Sequence, residues 1–391
     1  MQIKEVSSTR DFKDFLKIPK TIYKNDSSWT CSLDKEIKNQ FNPRKNKFFD
    51  DGEAKMWILK DERGILMGRI AAFYNAEKAA AEKVLTGGIG FFECIDDVPA
   101  AHTLFDKASE WLAEKGMQTI DGPINFGEND ANWGLLVDGF THQAIGMPYH
   151  LPYYRNLFES YGFKIFFKQF SYHLDLSKEF PKRFWKIAEW VGKKPDYEFK
   201  HFTWKNADQF IKDTVHIYNK AWADFKEDFT PLREEVLRES LLKAKAILDP
   251  ELIWFAYHKE EPAAFYVMIP DVNQILKKLN GKMHLINMLR FTYLKKKKTV
   301  NRIRAEAAGA IPRCQNLGLE SGIFWHLNEV MKHKPWYKEI ELSWVGDYNP
   351  KMISMYNAVG AKRAKTHHTY RYMIDKNIEF VRFMPEKVKE E

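Results

Sequence analysis

Cysteine is scarce in this chain: Cys31, Cys94 and Cys314 are the three present, and their spacing is neither paired nor metal-like. A disulfide framework and a zinc site are therefore not expected, and no metal is assigned. No uninterrupted apolar run approaches the roughly 18 residues of a membrane span. The start, from Met1 to Val6, lacks the apolar core of a signal peptide. The expectation is a soluble, cytoplasmic protein that at most lies peripheral to the inner face of the membrane. Glycine-rich nucleotide signatures are thin as well, because Gly88-Ile89-Gly90 has no third glycine at the dinucleotide-binding interval. A disordered chain is excluded by 45% apolar and 29% charged residues, values ordinary for a globular protein.

What the chain does have is length and an internal repeat of element order. At 391 residues it is long for a single core, so two domains are the prior. Hydrophobic periodicity then gives one series twice. The first copy reads as a strand over 2–6, helices near 9–23 and 33–41, and a strand pair at 55–60 and 65–74. It continues with a strand over 84–95, a helix over 100–115, a strand over 119–124, a helix over 152–161 closed by Gly162, and strands near 163–174. The second copy opens with a strand over 197–204, helices over 207–222 and 232–248, and paired strands at 252–258 and 263–269. After an insertion at 271–298 come a strand over 300–311, a helix over 319–332, a strand over 339–345, a helix over 350–359 and a last strand over 365–374. The reading is an α+β protein with domains at 1–176 and 196–391 and a Lys- and Pro-rich linker at 177–195.

Two stretches of the second copy carry chemistry. From Gln315 to Ser321 the chain passes from a strand into a helix through Gly318, which permits close backbone approach. Successive N–H groups at a helix N-terminus lack intrahelical partners and face the positive end of the helix dipole, so such a loop can hold a pyrophosphate. The same residues also fit an ordinary strand-to-helix turn. Further on, Asn349 is a good N-cap, Pro350 sits at the preferred first position, and Gly360 lies where a left-handed C-cap is expected. Tyr356 falls on the apolar stripe of that helix with Met352, Ile353, Met355 and Val359, so it also fits a packing role.

Together these blocks resemble the acyl-CoA binding half of the GNAT acyltransferase superfamily. The wider match, through Asn42 to Phe49, Gly90 to Glu93, Gly122 to Asn125 and Gly134 to Phe140, is similar to bacterial tandem two-domain GNAT-like proteins of poorly defined function. That resemblance implies two tandem GNAT-like domains, each a mixed, mostly antiparallel sheet flanked by helices. It implies an N-acyltransferase that uses acetyl-CoA or a longer acyl-CoA as co-substrate. The donor would lie against Ala310, Ile311, Gln315, Asn316, Leu317, Gly318, Leu319 and Asn349, and Tyr356 would donate a proton to the departing thiolate. One departure stands out: Glu320 occupies the place of the final small residue of the phosphate loop.

The implied reaction also needs a base, for which Glu306 and Glu341 are candidates, although a lone carboxylate on a strand is most often a surface residue. Asn129, Asp130 and Trp133 lie in a polar loop that could hold the acceptor or simply form self-bonded Asx turns. The first copy lacks the donor features. Acidic Asp96 and Asp97 precede its helix, and Phe158 stands four residues before Gly162, where the second copy has Tyr356 before Gly360. The first domain is therefore expected to be non-catalytic.

Partners follow from charge and pattern. A net charge of +8 suits CoA phosphates, an anionic membrane or nucleic acid, the last disfavoured because basic charge is its only support. From Met283 to Lys298 an apolar, aromatic helix candidate runs into four lysines, as interfacial segments do. A small-molecule or lipid amine acceptor, with peripheral membrane contact through that segment, is the corresponding expectation. The alternative is a non-catalytic GNAT-fold binding protein.

Overall fold

A computed structural model describes residues 1–128, 131–222 and 231–385. The chain divides into two compact units. The first comprises Met1–Phe170, Ile275–Thr292 and Lys365–Phe383, and the second Ser171–Gln274, Tyr293–Ala364 and the C-terminal residues from Met384.

In the first unit β1 (Gln2–Glu5) is followed by α1 (Thr9–Ile22) and α2 (Asp34–Gln40). Ser8 and Asp11 form a reciprocal capping box that starts α1. The strands β2 (Gly52–Lys60) and β3 (Leu66–Asn75) pair antiparallel; α3 (Ala76–Ala81) then leads to β4 (Thr86–Cys94). Asp97 caps α4 (Val98–Glu114), which runs to β5 (Thr119–Gly122). Two strands, β6 (Leu135–Asp138) and β7 (Lys164–Asp175), flank α5 (Tyr154–Tyr161), which ends at Gly162 with φ 106°. Strand alternation sorts the core. Trp57, Leu59, Ile70 and Ala72 join the cluster that includes Leu104, Phe105 and Trp111 of α4, whereas Ile58, Ala71 and Phe73 join Phe15, Ile18 and Phe126.

The second unit takes the C-terminal half of β7, then α6 (Lys182–Gly192), β8 (Tyr197–His201), α7 (Ala207–Trp222) and α8 (Glu234–Ala244). An antiparallel run of β9 (Ile253–His258), β10 (Glu261–Pro270) and, beyond an insertion holding α9 (Asn273–Leu276) and α10 (Leu285–Lys296), β11 (Arg302–Ala310) forms its sheet. After β11 come α11 (Leu319–His333), β12 (Glu339–Gly346) and α12 (Pro350–Ala358). Helix α7 packs on β10 and β11, while α11 packs on β9 and β10 with α6 against it. The last strand, β13 (Lys362–Met373), follows this series in the chain but hydrogen-bonds antiparallel to β5 and β6.

Both units contain the same irregular device. In each, a strand pairs parallel with the next one for three residues and then separates: Thr86–Gly88 with Thr119–Asp121, and Arg302–Arg304 with Glu339–Glu341. In each, a register shift against the preceding antiparallel strand falls at the point of separation. A bulge adds twist and bends its strand, which is what drives the parallel partners apart.

Candidate active site

In the first unit the opening between the separated strands is filled by the chain itself. Beyond the Gly122–Pro123 bond, the N–H of Ile124 donates to the carbonyl of Ile89 at 2.8 Å, stitching the gap with backbone. A Cβ on Gly90 would land on the carbonyl oxygen of Ile124, so glycine is required for this approach. Phe91, at φ 49°, stands 4.8 Å from the ring of Phe41, and Phe126 packs with Phe48, Phe49 and Phe73. Phe158 is fully buried among Phe92, Phe105, Phe163 and Tyr370.

The second unit leaves its separated strands unstitched. Past Arg304 and Glu341, β11 and β12 run on to Ala310 and Gly346, and the contact between them is the Ser343 hydroxyl donating to the carbonyl of Glu306 at 3.4 Å. The edge facing this opening reads Glu306-Ala307-Ala308-Gly309, short side chains that are partly exposed. Glu306 is the bulged residue itself, because Val267 pairs with Ala307 and Met268 with Ala305. Its carboxylate lies 3.3 Å from the Arg304 guanidinium.

Tyr356 is 4% exposed, and its hydroxyl donates to the carbonyl of Ser343 at 3.2 Å, on the β12 side of the same opening. Burial, with the neighbouring Tyr172 ring at 5.2 Å, holds the phenol protonated well above its ordinary range. Asn349 does what its sequence position predicts and accepts the N–H of Met352. Glu341 is 1% exposed and accepts the Ser171 hydroxyl at 2.7 Å. The reason is lateral: a parallel pair with neighbours on both sides buries both faces, so a strand carboxylate there cannot reach water.

At the far end of β11, Ala310 and Ile311 are buried and the Ile311 N–H donates to the Ala263 carbonyl. A short turn places Gly318 at φ 72° as the N-cap of α11, with no side-chain cap. The Ser321 and Gly322 N–H groups close on the Gly318 carbonyl, and among the described residues the N–H groups of Gly318 and Leu319 have no acceptor. Gln315 donates to the Ala310 carbonyl at 3.4 Å; Gln315 and Asn316 are exposed, Leu317 is half-buried and Leu319 is buried. Glu320 turns its carboxyl onto its own backbone N–H, and burial pushes its pKa up. One donor of the anion nest is thus already engaged by a carboxyl group.

Several neighbours were not singled out from sequence. Arg302 grips fully buried Asp271 at 2.6 and 2.8 Å, and Glu339 meets His173 at 2.6 Å. The signal was present as period-2 polar residues, Arg302-x-Arg304-x-Glu306 and Glu339-x-Glu341-x-Ser343, on strands otherwise apolar. Tyr266, on β10, is fully buried; its hydroxyl has no acceptor among the described residues and feels both Tyr356 and Glu320. Of the acceptor-loop candidates, Asn129 and Asp130 lie outside the described residues. Trp133 belongs to the first unit, in a loop braced by Asn125 donating to the Glu128 and Ala131 carbonyls, and its indole N–H is buried without an acceptor among the described residues. Among those residues no cluster of metal-ligating side chains occurs, and no helix is long and apolar enough to cross a membrane.

No protein-family model matches the chain. It is 27% identical over 373 residues to the bacterial ceramide synthase of Caulobacter vibrioides, covering 93% of this chain and 95% of that protein. A tandem GNAT protein from the clavulanic acid biosynthesis pathway superposes with a TM-score of 0.56 at 10% identity, over 95% of this chain and 98% of that one. A GCN5-related N-acetyltransferase from Sphaerobacter thermophilus superposes at 0.51 and 10% identity, over 98% of both chains. With these likenesses and two units each built round a bulged, diverging parallel pair, the chain is a tandem GNAT-fold protein.

Proposed function

We propose that the chain is an acyl-CoA-dependent N-acyltransferase whose second unit holds the donor and whose first unit is non-catalytic. The observation that carries this reading is the difference between the two openings. The first is closed by Ile124 and aromatic rings, whereas the second is lined by Ala307, Ala308 and Gly309, with Tyr356 on one bank and Glu306 on the other. Residues present suit the donor: uncapped amides at Gly318 and Leu319 for the diphosphate, and a small-residue edge along which a pantetheine arm can add as a strand would.

In the proposed reaction the neutral amine attacks the thioester carbon, a C–N bond forms and the C–S bond breaks. The proton released by the amine passes to Glu306 or Glu341, directly or through water, and the thiolate leaves with a proton or a hydrogen bond from solvent and Tyr356. Because the phenol is held above the ordinary thiol range of about 8.5, it serves first as a hydrogen-bond donor to the departing sulfur. Backbone donors freed where β11 and β12 diverge are suited to stabilise the oxyanion.

For the acceptor, a long-chain lipid amine met at a membrane surface is favoured by the likeness to a protein named bacterial ceramide synthase, since a ceramide is the amide of a long-chain amino alcohol. The test is incubation of the purified chain with acetyl-CoA or a long-chain acyl-CoA and either a short amine or a sphingoid amine, with free thiol and amide product measured. Thiol release that needs both partners supports the reading. A protein that neither binds nor turns over any acyl-CoA is the non-catalytic binding protein instead.

A further inference from the structure

The insertion between β10 and β11 holds the chain's excess charge. From Val272 to Val300 there are eight basic residues and no acidic one, so the rest of the chain, with 53 basic against 53 acidic, is balanced. Within this stretch α10 turns its apolar side chains outward. Leu285, Ile286, Met288, Leu289 and Tyr293 are each between 52% and 71% exposed, and Leu285, Leu289 and Tyr293 follow one another at four-residue spacing along one stripe. The opposite side faces the protein: Phe291 is buried, and Asn287 donates to the carbonyls of Leu279 and Lys282. Lys295 turns back to the Ala246 carbonyl, leaving Lys296, Lys297 and Lys298 exposed at the end of the stripe.

We infer that the outward face of α10 docks on an anionic lipid bilayer, with Leu285, Ile286, Leu289 and Tyr293 at the acyl boundary and Lys296 to Lys298 against lipid phosphates. An ordinary surface helix places its apolar stripe inward and its charges outward, so this arrangement needs an apolar phase on the solvent side. Charge selects the occupant. A second copy would bring an equal positive cluster against this one, and a nucleic acid would satisfy the lysines and leave five apolar side chains in water. The inference deepens the lipid-acceptor reading by naming the surface at which that acceptor is met, and it rests on that reading for its purpose, since docking itself needs no donor.

The experiment is co-sedimentation of the full chain, without acyl-CoA, with phosphatidylcholine vesicles and with vesicles containing about a third phosphatidylglycerol. Binding is expected to the anionic vesicles, weakened about a hundredfold when Lys296, Lys297 and Lys298 become alanine and at least about tenfold in Leu285→Glu/Leu289→Glu. Because these side chains are exposed, the melting temperatures of the variants should match that of the unaltered chain. Three results overturn the proposal: no binding to anionic vesicles, adsorption that the Leu→Glu pair does not weaken, or a Leu-dependent dimer in the ultracentrifuge without vesicle binding. Thiol release with a water-soluble amine, read separately, tells failure of the acyl-transfer reading from failure of docking.

Discussion

Glu320→Gln should strengthen binding of the donor rather than weaken it. Glu320 sits in the first turn of α11, where its carboxyl bonds its own amide beside the uncapped N–H groups of Gly318 and Leu319. A bound diphosphate and an ionised carboxylate would share that nest. Two unit charges about 4 Å apart repel by about 1 kcal/mol in water and about 4 kcal/mol at an effective dielectric constant of 20. For a half-buried group an intermediate value of about 2 kcal/mol is reasonable, which is roughly thirtyfold in Kd. The fold loses about 0.3–1 kcal/mol, because an acid in a first turn complements the helix dipole. Since burial raises the carboxyl pKa, the unaltered protein should bind more tightly as pH falls through that raised value, and the glutamine variant should lose this dependence. Calorimetry with 3′-dephospho-CoA, whose diphosphate keeps its charge between mildly acidic and mildly alkaline pH, reads both effects. Equal or weaker binding by the variant would mean that the diphosphate does not rest on this helix end.

Other outcomes follow from the same geometry. Tyr356→Phe should lower kcat about a hundredfold with little change in KM, while losing one hydrogen bond to Ser343 worth about 1 kcal/mol; unchanged turnover would make the ring a packing group. His173 has its pKa raised chiefly by its hydrogen bond to Glu339, so its contribution to stability is present below the ordinary histidine pKa and is lost as pH rises through the raised one. His173→Gln should flatten that part of the melting-temperature profile, and an unaltered profile would refute the coupling. Gly90→Ala should destabilise the first unit by about 3 kcal/mol or more in urea unfolding, because the new Cβ meets the Ile124 carbonyl and backbone must move. A near-neutral result would show that the opening there is not stitched as described.

Sequence by itself determined what neighbours along the chain decide. The capping of α12 by Asn349, the left-handed residues Gly162, Gly318 and Gly360, and the repeated element order need few partners beyond a few residues away. The same locality made Gly318 and Tyr356 visible as candidates. What tertiary structure decided involves partners far apart in the chain. The lone carboxylate of Glu341, by residue type a surface group, is buried because a parallel pair leaves it no exposed face. Strand β13 hydrogen-bonds to β5 and β6 across more than two hundred residues, a pairing no local pattern specifies. Ile124 and Phe126 fill one opening while Ala307 to Gly309 line the other, and that difference depends on which backbone enters each gap. Local hydrogen bonds and dihedral preferences act over a few residues, whereas burial and strand pairing are set by whatever the rest of the chain brings alongside.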